Sequence, residues 1–162
     1  MSSDIVVKSL VAVLLTLCAA SGLAQMPNPY GSPISLEDAK KIATPALAEA
    51  RRNNWAVAVA VVDSGGILVY FEKMDNTQIG SAEVAIGKAR SAALFKRPTK
   101  AFQDTLAAGG DGLRILGLQG AVPVEGGIPL LIDGKIVGAI GVSGVTSQQD
   151  GQCAKSGAET LK

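Results

Sequence analysis

A chain of 162 residues is long enough for one domain with its own core and too short for two. Fifteen Lys and Arg against fourteen Asp and Glu leave it near neutral, and with 4% aromatic residues it offers neither a nucleic-acid stripe nor a polybasic membrane patch. Histidine is absent, which excludes Ser-His-Asp and Cys-His catalysis as well as His-ligated zinc or haem.

The first residues read as a secretory signal. Lys8 precedes the apolar run Leu10–Ala20, and the small residues around Gly22-Leu23-Ala24 place cleavage after Ala24. The run falls short of the roughly 20 residues that span a bilayer, so residues 1–24 are expected to be removed. The mature chain is then periplasmic or secreted, with no membrane span. Cleavage takes Cys18 with it and leaves Cys153 alone, a small buried hydrophobe rather than half of an internal disulfide. Residues 25–34, rich in Pro, Gly and Ser, form a flexible leader, and 35–162 a single domain.

Ser35 is a helix N-cap, with Glu37 and Asp38 in the first turn where the dipole favours negative charge. Leu36, Ala39, Ala43, Ala46, Leu47 and Ala50 keep helical spacing as far as Arg51-Arg52, and Pro45 predicts a kink. Trp55–Val62 is a strand apolar on both faces. Asp63 caps the turn to a second strand, Ile67–Phe71, and Glu72–Thr77 is a solvated polar loop.

Gln78–Phe95 reads as a helix dominated by Ala and Gly, so another element can approach it closely. Pro98 ends it and Thr99 begins a shorter one. Gly109, Gly110 and Gly112 break the chain, and Leu113–Val124 is assigned one short strand. A further strand leads to Asp133-Gly134, a type I′ turn signal, and then to Ile136–Val142, which has no polar side chain. Gly138, Gly141 and Gly144 lie within or beside that strand, so they permit close helix packing and do not form a nucleotide loop. Thr146 to Gln149 makes a capping box for the last helix. The sum is an α+β domain with a five-stranded, mainly antiparallel sheet between helices.

Lys88, Arg90, Lys96, Arg97 and Lys100 cluster around the end of the small-residue helix. Two readings stand: ordinary partners of the helix dipole, or a cleft that clamps carboxylates or phosphates, with Thr99 and the amides after Pro98 as further donors. No nucleophile–base pair can be assembled from these residues.

Three blocks, VAVAVVDSGG (57–66), GKARSAALFKRPTKAF (87–102) and GGIPLLIDGKIVGAIGVSGVTSQQD (126–150), together resemble the GlcG/HbpS family. That family comprises small haem-binding proteins and the domain appended to PduO-type cobalamin adenosyltransferases. The resemblance implies a profilin-like three-layer α/β/α domain that assembles as a homo-oligomer and takes haem as cofactor. Lys88, Arg90, Lys96 and Arg97 would face the propionates. In some members it also implies a role in haem breakdown or redox sensing; we read this chain as a non-enzymatic haem binder in sensing or scavenging, with a sensor protein as one candidate partner. The alternatives are a haem-degrading or small-carboxylate enzyme and a cofactor-free scaffold. Many relatives read D-x-G-G-H where this chain has Asp63-Ser64-Gly65-Gly66-Ile67. The iron donor then falls to water, Thr99, Tyr70, Met74, Cys153 or a lysine, with Thr99 favoured because it lies among the cations.

Overall fold

The computed structural model describes residues 27–161; the expected signal peptide, with Cys18, lies outside them. Helix α1 (Leu36–Arg52) begins at Ser35, whose Oγ accepts the Asp38 amide at 3.1 Å, and runs on through Pro45. Then come β1 (Ala58–Asp63), β2 (Leu68–Lys73), α2 (Ser81–Leu94), α3 (Thr99–Ala107), a 3₁₀ segment (Gly110–Gly117), β3 (Gly127–Ile132), β4 (Lys135–Ser143) and α4 (Ser147–Ala158). Both halves of the Thr146/Gln149 capping box are made.

The sheet has four strands in the order β2-β1-β4-β3, every pair antiparallel. This corrects the five-stranded expectation. The stretch Leu113–Val124 forms no strand, because its backbone groups are satisfied elsewhere. Its first part closes 3₁₀ turns and the Val122 amide donates to Ser91 Oγ at 3.0 Å; just past the stretch, the Glu125 amide donates to Gln103 Oε1 at 2.8 Å. The turn between β3 and β4 is as expected: Asp133 and Gly134 have φ of +49° and +71°, the pair of positive values that a type I′ turn requires. Asp63 also acts as expected, its Oδ1 accepting the amides of Gly65 (2.8 Å) and Ile67 (2.9 Å).

Alternation along β1 divides the core. Val57, Val59 and Val61 face α1 and α4, where they meet Ile42, Leu47, Ile140 and Cys153. Ala58, Ala60 and Val62 face α2 and meet Ala85, Ala89, Ala92 and Ala93. Helices thus cover both faces, and each large side chain removed from water contributes about 1.5–3 kcal/mol. On the α2 side the residues are small and the approach is close. A Cβ at Gly141 would lie 2.1 Å from the Ala85 carbonyl oxygen, so only glycine admits the helix there.

The leader is held to this body. β1 ends at Asp63 opposite Gly138, which leaves the preceding residues of β4 free on that edge. The leader takes them: the Ile136 amide donates to Pro29 O at 2.8 Å, Gly31 N–H to Ile136 O at 2.8 Å, and Ile34 N–H to Val137 O at 2.9 Å.

Candidate functional site

The five predicted site residues do not converge. Lys88 is fully buried, and its Nζ donates to Asp150 Oδ2 at 2.7 Å and to the Val142 carbonyl at 3.0 Å. The other Asp150 oxygen accepts the Val145 amide at 3.2 Å. This corrects the placing of Lys88 at a ligand: its ammonium is spent inside the protein, joining α2 to α4 past the end of the sheet. Gly126 leaves the room, since a Cβ there would come within 2.9 Å of Lys88 Nζ. Burial pushes the Lys88 amine below its ordinary value and the Asp150 carboxyl above its own, against the pull of their pairing.

Thr99 is likewise inside. Its Oγ1 accepts the Gly127 amide at 2.9 Å and is fully buried, so the hydroxyl secures the start of β3 and is closed to an iron. Arg90 donates from Nε to the Gly66 carbonyl at 3.0 Å, which ties it to the β1–β2 turn. Arg97 is exposed, donates to Phe95 O at 3.1 Å, and stacks with its guanidinium carbon 5.5 Å from the centroid of Phe102. Lys100 pairs with Asp104 at 2.8 Å, and that carboxylate holds its amine above the usual lysine range.

Lys96 alone of the five lines a groove with apolar walls. The cleft encloses about 330 Å³ between the loop after α2 and the edge strand β3, with Pro98, Ile128, Pro129, Leu131 and Ile136 on its sides. A volume of that size is at the lower end for small-molecule sites. Such a cleft, with mostly hydrocarbon walls, Asn28 and one lysine among its lining, is complementary to an apolar plate with a negative edge.

The donor set decides how a haem could sit here. Cys153 is fully buried and its thiol is pushed up to about 12, chiefly by burial, so a thiolate ligand is closed off. Tyr70 donates to Glu72 Oε2 at 2.6 Å; that bond, then burial, raises the phenol above its ordinary value. Met74 packs against the α1 side of the core. No group of three or more His, Cys, Asp or Glu side chains able to hold a metal is found among the described residues. The groove presents apolar contact and one positive charge, and its lining offers an iron no imidazole or thiolate.

Reasoning from sequence missed Asp150 and Tyr30. Asp150 carries a signal, because Asp150, Cys153, Ala154 and Gly157 follow the i, i+3, i+4, i+7 spacing of a buried stripe. Lys88 lies on the corresponding stripe of α2, between Ala85 and Ala92. Tyr30 has none beyond being an aromatic in a Pro-rich leader; its hydroxyl donates toward the last carbonyls of α2, 3.0 Å from Ala93 O.

The comparisons agree with this architecture. The family model for haem degrading protein HbpS-like matches residues 34–159. Protein GlcG of Escherichia coli K12 is 39% identical over 110 residues, which is 68% of this chain and 81% of GlcG. A double mutant of Streptomyces reticuli HbpS has a TM-score of 0.74 at 30% identity, covering 82% of this chain and 89% of that one. The PduOC haem complex has a TM-score of 0.72 at 26% identity, over 80% of this chain and 96% of its own. The order of elements, the covered antiparallel sheet and the match over most of the domain lead to one conclusion: the chain belongs to the HbpS-like family.

Proposed function

We propose that this protein binds haem non-covalently in the groove between the loop after α2 and strand β3. The observation that carries the reading is Lys96 lining a mainly apolar cleft, in a chain of the HbpS-like family. Ile128, Leu131 and Ile136 would cover the porphyrin face, and Lys96, with Arg97 and Lys100 nearby in sequence, would attract the propionates. Lys88 and Thr99 act through the scaffold, holding α4 and β3 in place. Bound haem supplies the redox chemistry of its iron; the chain supplies binding and exclusion of water.

The same reading places the protein outside the cytoplasm after cleavage at Ala24, as a homo-oligomer serving haem scavenging or a sensor partner. Exposed apolar side chains, among them Ile79, Leu113, Leu116 and Ile132, favour a second copy as cover. N-terminal sequencing of the exported protein tests the cleavage, with Gln25 as the expected first residue.

The test of the ligand is a haemin titration followed by absorbance, with an albumin control and a salt series. Saturation at about one haem per subunit or per dimer, weakened by salt, is expected. Bleaching of the Soret band with release of iron in the presence of a reductant would favour a haem-degrading enzyme, which the description of the matching family favours. No saturable response would leave the scaffold reading in front.

A further inference from the structure

Lys96 stands one residue past Phe95, the cap residue of α2, with φ of +56°. The helix closes there by a paired arrangement: Arg97 N–H bonds to Ala92 O at 3.3 Å and Lys96 N–H to Ala93 O at 3.4 Å. That closure ordinarily takes glycine, because a Cβ in the left-handed region strains against the backbone. Among the described non-glycine residues with positive φ, Asn54, Asn76 and Asp133 are short polar types that tolerate it. Lys96 is not one of them. Strain kept at a single position, beside a groove, points to use of the side chain.

Tyr30 accounts for where that side chain goes. Its hydroxyl donates toward Ala93 O (3.0 Å) and Leu94 O (3.1 Å), the carbonyls that end α2. Lys96 Nζ lies 4.2 Å from the centroid of its ring, within reach of a cation–π contact. Tyr30 is itself fixed by its bridge to Ile136, a residue of the groove wall, and Pro27 and Asn28 of the same leader line the groove. Ring, leader and helix end are one assembly around a single ammonium.

We propose that Tyr30 is a positioning residue: with the leader it holds the Lys96 ammonium at the groove rim to receive a carboxylate of the ligand. A strained lysine stands where glycine would be more stable because that charge is needed there. This rests on the groove reading above and adds to it the device that recognises the ligand's anionic edge.

The test uses the whole chain, with iron-free protoporphyrin IX and its uncharged dimethyl ester as probes, followed by fluorescence, together with thermal unfolding. The unaltered protein is expected to prefer the acid to the ester. Lys96→Gly should raise the melting temperature by about 2–4 °C, since it removes the backbone strain, and lower that preference roughly fivefold. Tyr30→Phe keeps the ring and should keep the preference; Tyr30→Leu keeps apolar bulk without the ring and should lose it. Equal binding of acid and ester, or a preference that survives Lys96→Gly, would overturn the inference alone. Failure of the unaltered chain to bind either porphyrin would overturn the groove reading and this inference with it.

Discussion

The two faces of the sheet are filled in different ways. Toward α1 and α4 the core is built from branched and large side chains, Ile42, Leu47, Val59, Val61 and Ile140, with Cys153 among them. Toward α2 it is built mainly from alanine, with Val62 and the bare backbone of Gly141, and the largest buried side chain on that helix is a lysine. One face closes by volume, the other by proximity. Proximity leaves no slack, so what must pass between the layers does so through fixed bonds: Lys88 to Asp150, Thr99 to Gly127, Ser91 to the Val122 amide. The groove opens at the edge of this tight face, where α2 ends and the helix no longer covers β3.

The largest effect is expected from breaking the polar link of the tight face. Asp150→Ala leaves the Lys88 ammonium buried without its partner and should cost about 3–5 kcal/mol in chemical denaturation. The double replacement Lys88→Met with Asp150→Leu should recover most of that loss, because desolvation of both charges disappears with them. A double variant as unstable as the single one would show that the pair does more than compensate its own burial.

The roomier face makes a prediction in pH. The folded Cys153 thiol stays protonated up to about 12, whereas in the unfolded chain it ionises near 9.0. Between those values the folded state binds more protons, so stability falls as pH rises. The contribution is complete below pH 9 and declines by roughly 4 kcal/mol by pH 12. Denaturation midpoints of the unaltered chain and of Cys153→Ala, compared from pH 8 to 11, should converge as pH rises; parallel curves would sink the idea.

Gly141→Ala sharpens the contrast at a smaller scale. The added methyl would meet the backbone of Ala85 at 2.1 Å and Ala89 N at 2.5 Å, so α2 must lift, at about 1–3 kcal/mol. Lifting α2 should also speed hydrogen exchange of the amides along it, whereas exchange in α1 should not change. The smallest effect belongs to Arg97→Ala. Its side chain is exposed, and the melting temperature should move by less than about 2 °C. Any loss of haemin affinity should be about twofold and vanish at high salt.

Most elements, and the caps and turns that bound them, were legible in the residues alone, because these rest on local chemistry. Ser35, the Thr146/Gln149 box, Asp63 and Asp133-Gly134 each satisfy or direct backbone within a few residues of themselves, and each acts as read. The apolar strands announced a sheet covered on both sides, and the three blocks announced the family. Packing alone settled the fate of side chains whose partners are distant in sequence. Lys88 and Asp150 are 62 residues apart, so the basic group around Pro98 looked like one cleft when its members serve different bonds. Leu113–Val124 lacked a strand because much of it closes turns on itself and the Val122 amide found Ser91, a partner 31 residues away. The same holds for Tyr30: its ring acquires a role only when the leader lies along β4, beside the end of a helix more than 60 residues further on. Local spacing specifies hydrogen bonds along the chain; a charge or a ring is assigned its work by the packing that brings its partner to it.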